Sequence, residues 1–255
     1  MLEKPQFNTQ GEKIVCTQDT VHPEMLQDIR VYRMKKGQEL TFGREDGETA
    51  ILLTEGTVTF AWNGNTAIGS RKNVFDQPPY CLHICKGMTA KITAEEDDSE
   101  ILVQSTDNDR EFEAHFYTAE ECKIELMGAE QWEGTAKREV LTIFDYQNAP
   151  YSNMVIGEVI TKAGRWSSYV PHSHPQPEVY YYKFDHPQGF GAAFTGDQAF
   201  KITDGTALCI PGGLTHPQAA APGYNMYYCW MIRHLDGNPW TSRDVDPVHA
   251  WLLEE

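Results

Sequence analysis

The sequence predicts an all-β fold, and three observations carry that reading. Strand-length runs rich in β-branched and aromatic residues recur along the chain. Gly, Pro, Asn and Asp separate them at short intervals, as turns do in sandwiches and barrels. Apolar spacing at the helical period is weak.

Taken in order, residues 23–29 suit one short helix. Residues 56–62 alternate as a half-buried strand, and Asn63-Gly64-Asn65 after them is a hairpin turn signal. Glu95-Glu96-Asp97-Asp98 reads as a solvated turn, and 100–105 as the strand that follows. Between Asp107 and Arg138 the alternation lapses and acids gather at Glu111, Glu113, Glu120, Glu121 and Glu125. This suggests a first domain over 1–110, a linker over 111–134 and a second domain over 135–255. Each domain is about the size of one small barrel, so a duplicated architecture follows, although no sequence repeat is visible. In the second half, 155–161, 178–184 and 224–232 read as strands. Residues 184–203, rich in Gly and Phe, read as a long loop. Asp246-Pro247 opens a capped final turn, with Pro at the first helical position.

The 255 residues include 21 Lys and Arg against 37 Asp and Glu, a formal charge of −16. A phosphate-tracking nucleic-acid binder needs a basic face, and an anionic membrane surface repels such a chain. Neither nucleic acid nor membrane is expected as a partner. An acidic substrate would need a local positive feature, and a bound cation would serve. No apolar run approaches the ~20 residues that span a bilayer. Met1-Leu2-Glu3-Lys4-Pro5-Gln6 lacks a basic-then-apolar leader. Cys16, Cys81, Cys85, Cys122, Cys209 and Cys229 are scattered outside any redox motif. The expectation is a cytoplasmic protein with free thiols.

Six of the nine histidines fall in the last 84 residues. In Pro171-His172-Ser173-His174-Pro175-Gln176-Pro177-Glu178, the two histidines stand two apart and would share one face of a strand. Pro175-Gln176-Pro177 favours a turn, and Glu178 then opens a strand that can point into the same space. Further on, Pro211-Gly212-Gly213 would deliver His216 on a neighbouring strand. Three imidazoles and one carboxylate suit zinc or manganese first, then iron, nickel or cobalt. On an ion taking five or six ligands, this set leaves the open position that catalysis needs. One divalent metal ion per chain is expected at His172, His174, Glu178 and His216.

If these residues face inward, alternation turns Tyr180 and Tyr182 inward too. With Glu178 they are the candidates for catalysis, by hydrogen bonding or proton transfer, the bland alternative being core tyrosines with satisfied hydroxyls. Arg165 and Arg233 are candidates for the positive feature, and Lys183 for a substrate carboxylate despite its opposite parity. Tyr224 shares a crowded strand with Tyr227 and Tyr228, one face of which should reach the cavity. His186, His234 and His249 read as surface or capping residues.

The two histidine segments resemble the paired motifs of cupins, His-x-His-x3-Glu and Gly-x5-Pro-x-Gly-x2-His, the second matching at Gly205, Pro211, Gly213 and His216. More narrowly, Arg165-Trp166-Ser167-Ser168-Tyr169-Val170-Pro171-His172 and Glu178-Val179-Tyr180-Tyr181-Tyr182 look like the 5-deoxy-glucuronate isomerases of myo-inositol catabolism. So do Gln188-Gly189-Phe190-Gly191, Ala221-Pro222-Gly223-Tyr224 and Asp246-Pro247-Val248-His249-Ala250-Trp251. The resemblance is specific over 135–255 and looser over 1–110, where Arg71-Lys72-Asn73-Val74-Phe75-Asp76 carries it. Trp166 stands where cupins carry a glycine, six residues before the first histidine. The turn between His174 and Glu178 and the loop after Gly191 are shorter than in that family.

The resemblance implies a bicupin, two antiparallel β-barrels of jelly-roll type in tandem. The first would lack a metal, because Gly43, Glu45, Gly47 and Ala90 fall where histidines would stand. It implies a metal-dependent aldose–ketose isomerase converting 5-deoxy-glucuronate to 5-dehydro-2-deoxy-gluconate. The partner would be a small-molecule sugar acid, with room for a homo-oligomer. The rival readings are isomerisation of 4-deoxy-5-keto-uronates from pectin and non-catalytic sugar-acid binding. A full ligand set favours an enzyme.

Overall fold

The computed structural model describes residues 1–254. Strands hold 49% of the chain and helix 5%, so the protein is all-β. The helical pieces among the described residues are three short 3-10 turns. No helix among the described residues is long and apolar enough to cross a membrane. The chain divides into two compact units. One comprises Pro5–Cys122 with Ala149–Met154; the other comprises Met1–Lys4, Lys123–Asn148 and Val155–Glu255.

In the first unit, the long strand Gly47–Trp62 is the spine. Its beginning pairs antiparallel with Tyr80–Ile84 and Ser99–Asp107, and its end with Asn65–Arg71 and Ala90–Ala94. A register shift between Leu53 and Glu55 accompanies the change of partners, so one bent strand serves both parts of a curled sheet. Asn63 and Gly64 form the expected turn at positive φ, 43° and 78°. Alternating residues such as Ile51, Leu53, Phe60, Leu82, Ile92 and Ile101 fill the core. The fully buried Glu48 carboxylate faces His83 Nε2 at 2.7 Å, Ser152 Oγ at 2.8 Å, Asn108 Nδ2 at 3.0 Å and Asn153 N at 2.6 Å. That many partners make its burial tolerable, and two of them fasten residues 149–154 to this unit.

The helix expected over 23–29 is shorter than its pattern suggested. Only Pro23–Met25 coils, Leu26 at φ 58° ends the turn, and Asp28–Met34 is a strand paired with Ser99–Asp107. The stretch expected to link two domains, 111–134, carries two edge strands. His115–Tyr117 pairs with Tyr80–Ile84, and Lys123–Met127 pairs with Arg138–Phe144. Glu111, Glu113, Glu120 and Glu121 are exposed. An edge with one solvated face needs few apolar residues, so its alternation is faint.

The second unit has a seven-stranded sheet in the order Leu2–Glu3, Ala207–Ile210, Glu178–Phe184, Met226–Arg233, Met154–Thr161, Arg138–Phe144, Lys123–Met127. A four-stranded sheet runs Trp166–Ser167, Gln218–Ala220, Phe190–Thr195, Gln198–Thr203. Tyr180, Tyr182, Phe184, Tyr228 and Trp230 from the first pack with Ala193, Ile202 and Ala220 from the second. The supposed loop over 184–203 is therefore mostly a hairpin, Phe190–Thr195 against Gln198–Thr203. Its glycines mislead because Gly191 reflects a close neighbour rather than a turn: a Cβ there would lie 2.4 Å from Ala219 O. The final turn forms as Pro247–Leu253, with the Asp246 carboxylate accepting from Val248 N.

Candidate active site

His172 lies on the short strand His172–Ser173, which pairs with Asp244–Val245 near the other end of the unit's sequence. His174 follows, and Pro175-Gln176-Pro177 turns the chain into Glu178–Phe184. Gly213 N donates to His174 O at 2.7 Å, which docks the Pro211-Gly212-Gly213 turn onto the histidine segment. A Cβ on Gly212 would sit 1.9 Å from Pro175 O, so only glycine permits that approach. His216 emerges from the irregular segment ahead of Gln218–Ala220 rather than from a strand, since Pro217 cannot donate to a ladder.

These connections bring His174 Nε2 and His216 Nε2 each to 3.2 Å from Glu178 Oε2. All three side chains are buried. Their ligand atoms lie within 4.8 Å of one another, the one such group found among the described residues. His172 stands beside that group, its ring centroid 4.9 Å from that of His216.

Each imidazole turns Nδ1 to a main-chain carbonyl: His172 to Val170 O at 2.7 Å, His174 to Gln176 O at 3.0 Å, His216 to Leu214 O at 2.9 Å. A carbonyl only accepts, which assigns the hydrogen to Nδ1 and leaves Nε2 with a lone pair. His216 Nε2 is buried without a hydrogen bond. Burial, reinforced by His216, pushes the His172 imidazole down to about 3. Burial also lowers His216, against the pull of Glu178. His174 Nε2 and His216 Nε2 therefore converge on one carboxylate oxygen, with His216 Nε2 unpartnered, which is an arrangement a cation would complete. The donor set fits a divalent ion, and carbonyl-anchored Nδ1–H groups are what orient metal-binding imidazoles.

His172, His174 and Glu178 line a cavity of about 210 Å³. Tyr180, Tyr228, Ser168, Trp230 and Trp240 also line it. Ser168 Oγ lies 3.0 Å from Tyr180 Oη and 3.2 Å from Tyr228 Oη, and Ser167 Oγ 2.5 Å from Tyr228 Oη. Burial raises both phenols above the ordinary tyrosine range, so they stay protonated. Tyr182 is inward as expected but sits in the core away from the cavity, its Oη donating to Gln218 Oε1 at 2.6 Å.

None of the four residues expected to hold substrate is on this cavity. Arg165 is half-buried, its carbonyl accepting from Ala220 N. Lys183 lies opposite Tyr227, on the face away from Tyr180 and Tyr182. Tyr224 packs near Phe190 and His186. Arg233 is buried and donates to His234 O. The cations that do line the cavity are Arg138, Arg243 and Lys123. They lie outside every motif, and long-range strand pairing alone brings them in. Tyr228 was legible, because the parity of Met226–Arg233 puts it on the face of Trp230. His234, expected at the surface or as a cap, is buried, and its Nδ1 accepts from Trp240 N at 2.9 Å, which fixes Trp240 at the cavity wall.

Comparison with known proteins places the chain among relatives. A 5-deoxy-glucuronate isomerase of Geobacillus kaustophilus (strain HTA426) is 28% identical over 270 residues, covering 97% of this chain and 92% of the relative. The protein of the same name in Bacillus subtilis (strain 168) is 27% identical over 275 residues, covering 100% and 98%. Among solved structures, an IolB-like protein from Salmonella typhimurium LT2 matches with a TM-score of 0.80 at 24% identity, over 89% of this chain and 90% of that one. The fold has cupin-like neighbours. The KduI/IolB family model matches residues 1–252, and the chain belongs to the KduI/IolB family.

Proposed function

We propose that this protein is a 5-deoxy-glucuronate isomerase working with one divalent ion held by His172, His174, Glu178 and His216. The observation that carries the reading is the convergence of His174 Nε2 and His216 Nε2, each 3.2 Å from one Glu178 oxygen, beside a cavity of small-molecule size that His172, His174 and Glu178 line. The names of the full-length relatives supply the substrate. Aldose–ketose isomerisation moves a proton between adjacent carbons through an enediolate. A bound divalent ion supplies Lewis-acid stabilisation of that oxyanion. Tyr180 Oη, kept protonated by burial, donates a hydrogen bond to a substrate oxygen and can pass a proton. Ser168, shared with Tyr228, holds that hydroxyl in place. Tyr182 acts at one remove, by fixing Gln218 beside His216 in the chain. Trp230 and Trp240 restrict water at the cavity wall.

The two units are read as jelly-roll barrels in tandem, the first without a metal and serving packing or assembly. Their separate apolar cores and the partner-switching strand Gly47–Trp62 support that reading. The activity is tested by an NMR time course of metal-loaded protein with 5-deoxy-glucuronate. Signals of 5-dehydro-2-deoxy-gluconate are expected to grow, and to stop growing after chelation. Faster conversion of a 4-deoxy-5-keto-uronate would replace the substrate assignment. Binding without any conversion would leave a non-catalytic cupin.

A further inference from the structure

We propose that Arg138 and Arg243 form the acid-recognition end of this cavity, holding the carboxylate of a sugar acid while its carbonyl end faces His172, His174 and Glu178. The proposal rests on the isomerase reading for the reaction, but the recognition chemistry stands on the cavity itself. Arg138 is only 3% exposed, yet its recorded partners are neutral. One terminal nitrogen donates to Ala136 O at 2.9 Å; the other donates to Tyr169 O at 2.8 Å and lies 3.8 Å from Met127 Sδ. No carboxylate forms an ion pair with it among the described residues. A guanidinium has five N–H donors, so part of its fork is left over. A buried charge without a counter-charge is costly, and a site that keeps one is suited to an anion.

Arg243 is held differently. It directly precedes Asp244–Val245, which pairs with Ser173 and His172, so the ladder sets it beside the first metal-ligand candidate. It too lines the cavity and has no acid partner among the described residues. Lys123, the third cation on the wall, is engaged with Glu125 at 3.0 Å. Two further donors face no acceptor: the indole N–H groups of Trp230 and Trp240 are buried without hydrogen bonds, and both rings line the same cavity. Two guanidinium groups without a carboxylate partner and two unused N–H donors match a small, oxygen-rich anion. Arg forks bind carboxylates in a bidentate manner, which would fix orientation as well as affinity. In a chain of charge −16, such a local pair is also what draws an anionic substrate in.

The test is calorimetric titration of the metal-loaded full chain with D-gluconate, which lacks an aldehyde to isomerise, and with D-glucitol, its uncharged counterpart. Gluconate is expected to bind at least tenfold more tightly than glucitol. Arg243→Gln and Arg138→Lys should each weaken gluconate at least tenfold while leaving glucitol unchanged. With 5-deoxy-glucuronate, Arg243→Gln should raise KM with little change in kcat. If circular dichroism shows that Arg138→Lys does not fold, Arg243→Gln decides alone, since Arg243 is exposed. Equal gluconate affinity in wild type and Arg243→Gln, or equal binding of gluconate and glucitol, overturns the proposal. Arginine-dependent gluconate binding without turnover of 5-deoxy-glucuronate would support it while rejecting the isomerase reading.

Discussion

His216 combines an Nδ1 anchored to Leu214 O with an Nε2 that has only a carboxylate and other imidazoles to face. His216→Ala is expected to reduce bound metal from one ion per chain to less than about a tenth at equal free metal, read by elemental analysis. Undiminished metal in a folded His216→Ala sample would reject the ligand assignment. Tyr180 and Tyr182 look alike in sequence, and the structure separates them. Tyr180→Phe removes a hydroxyl from the cavity and should lower kcat about 100-fold or more, with the fold retained. Tyr182→Phe leaves the buried Gln218 Oε1 without its donor, so it should cost about 1–3 kcal/mol in denaturant unfolding. The same activity loss in both variants would remove Tyr180 from the chemistry. Burial raises the Tyr182 and Tyr228 phenols in the folded chain above the ordinary value of 10.0. Their protonated forms favour the folded state, so that contribution is full below pH 10 and fades as pH rises beyond it. Denaturant midpoints between pH 9 and 11 should therefore fall with pH, less steeply in Tyr182→Phe.

Among the elements, legibility followed the range of the cause. The strand Glu178–Phe184 was readable because its pattern is local, and the grouping of His174, Glu178 and His216 was readable because their spacing lies in two short segments. The hairpin over 190–203 was hidden because Gly191 answers to Ala219, a residue far along the chain. Arg138 and Arg243 were hidden for the same reason: their places depend on Met127, Tyr169 and the His172–Ser173 ladder. The Pro211-Gly212-Gly213 turn offers a test at this scale. Gly212→Ala would drive a methyl into Pro175 O and push the His216 segment off the His174 segment. Metal affinity should drop about tenfold or more in a competition titration, with the β signal in circular dichroism nearly unchanged. Unaltered affinity would mean that the clamp does not position His216.

For the whole molecule, each unit's core is apolar and complete without the histidine cluster. Chelation is therefore expected to abolish turnover while leaving most of the β spectrum and the melting transition in place. Global unfolding on chelation would assign the ion a structural role instead. The unit that carries the cluster also draws in the start of the chain. Leu2 and Glu3 pair with Leu208 and Ala207, and Cys209 N donates to Met1 O at 2.9 Å. That short strand shields one side of Ala207–Ile210, four buried residues on the seam next to the strand that bears Glu178. Strip off residues 1–4 and a row of open amide and carbonyl groups beside Ala-Leu-Cys-Ile is left to pair with whatever strand comes by. A truncated chain should therefore form larger particles than the intact chain as concentration rises in light scattering, which makes these opening residues a guard against clumping.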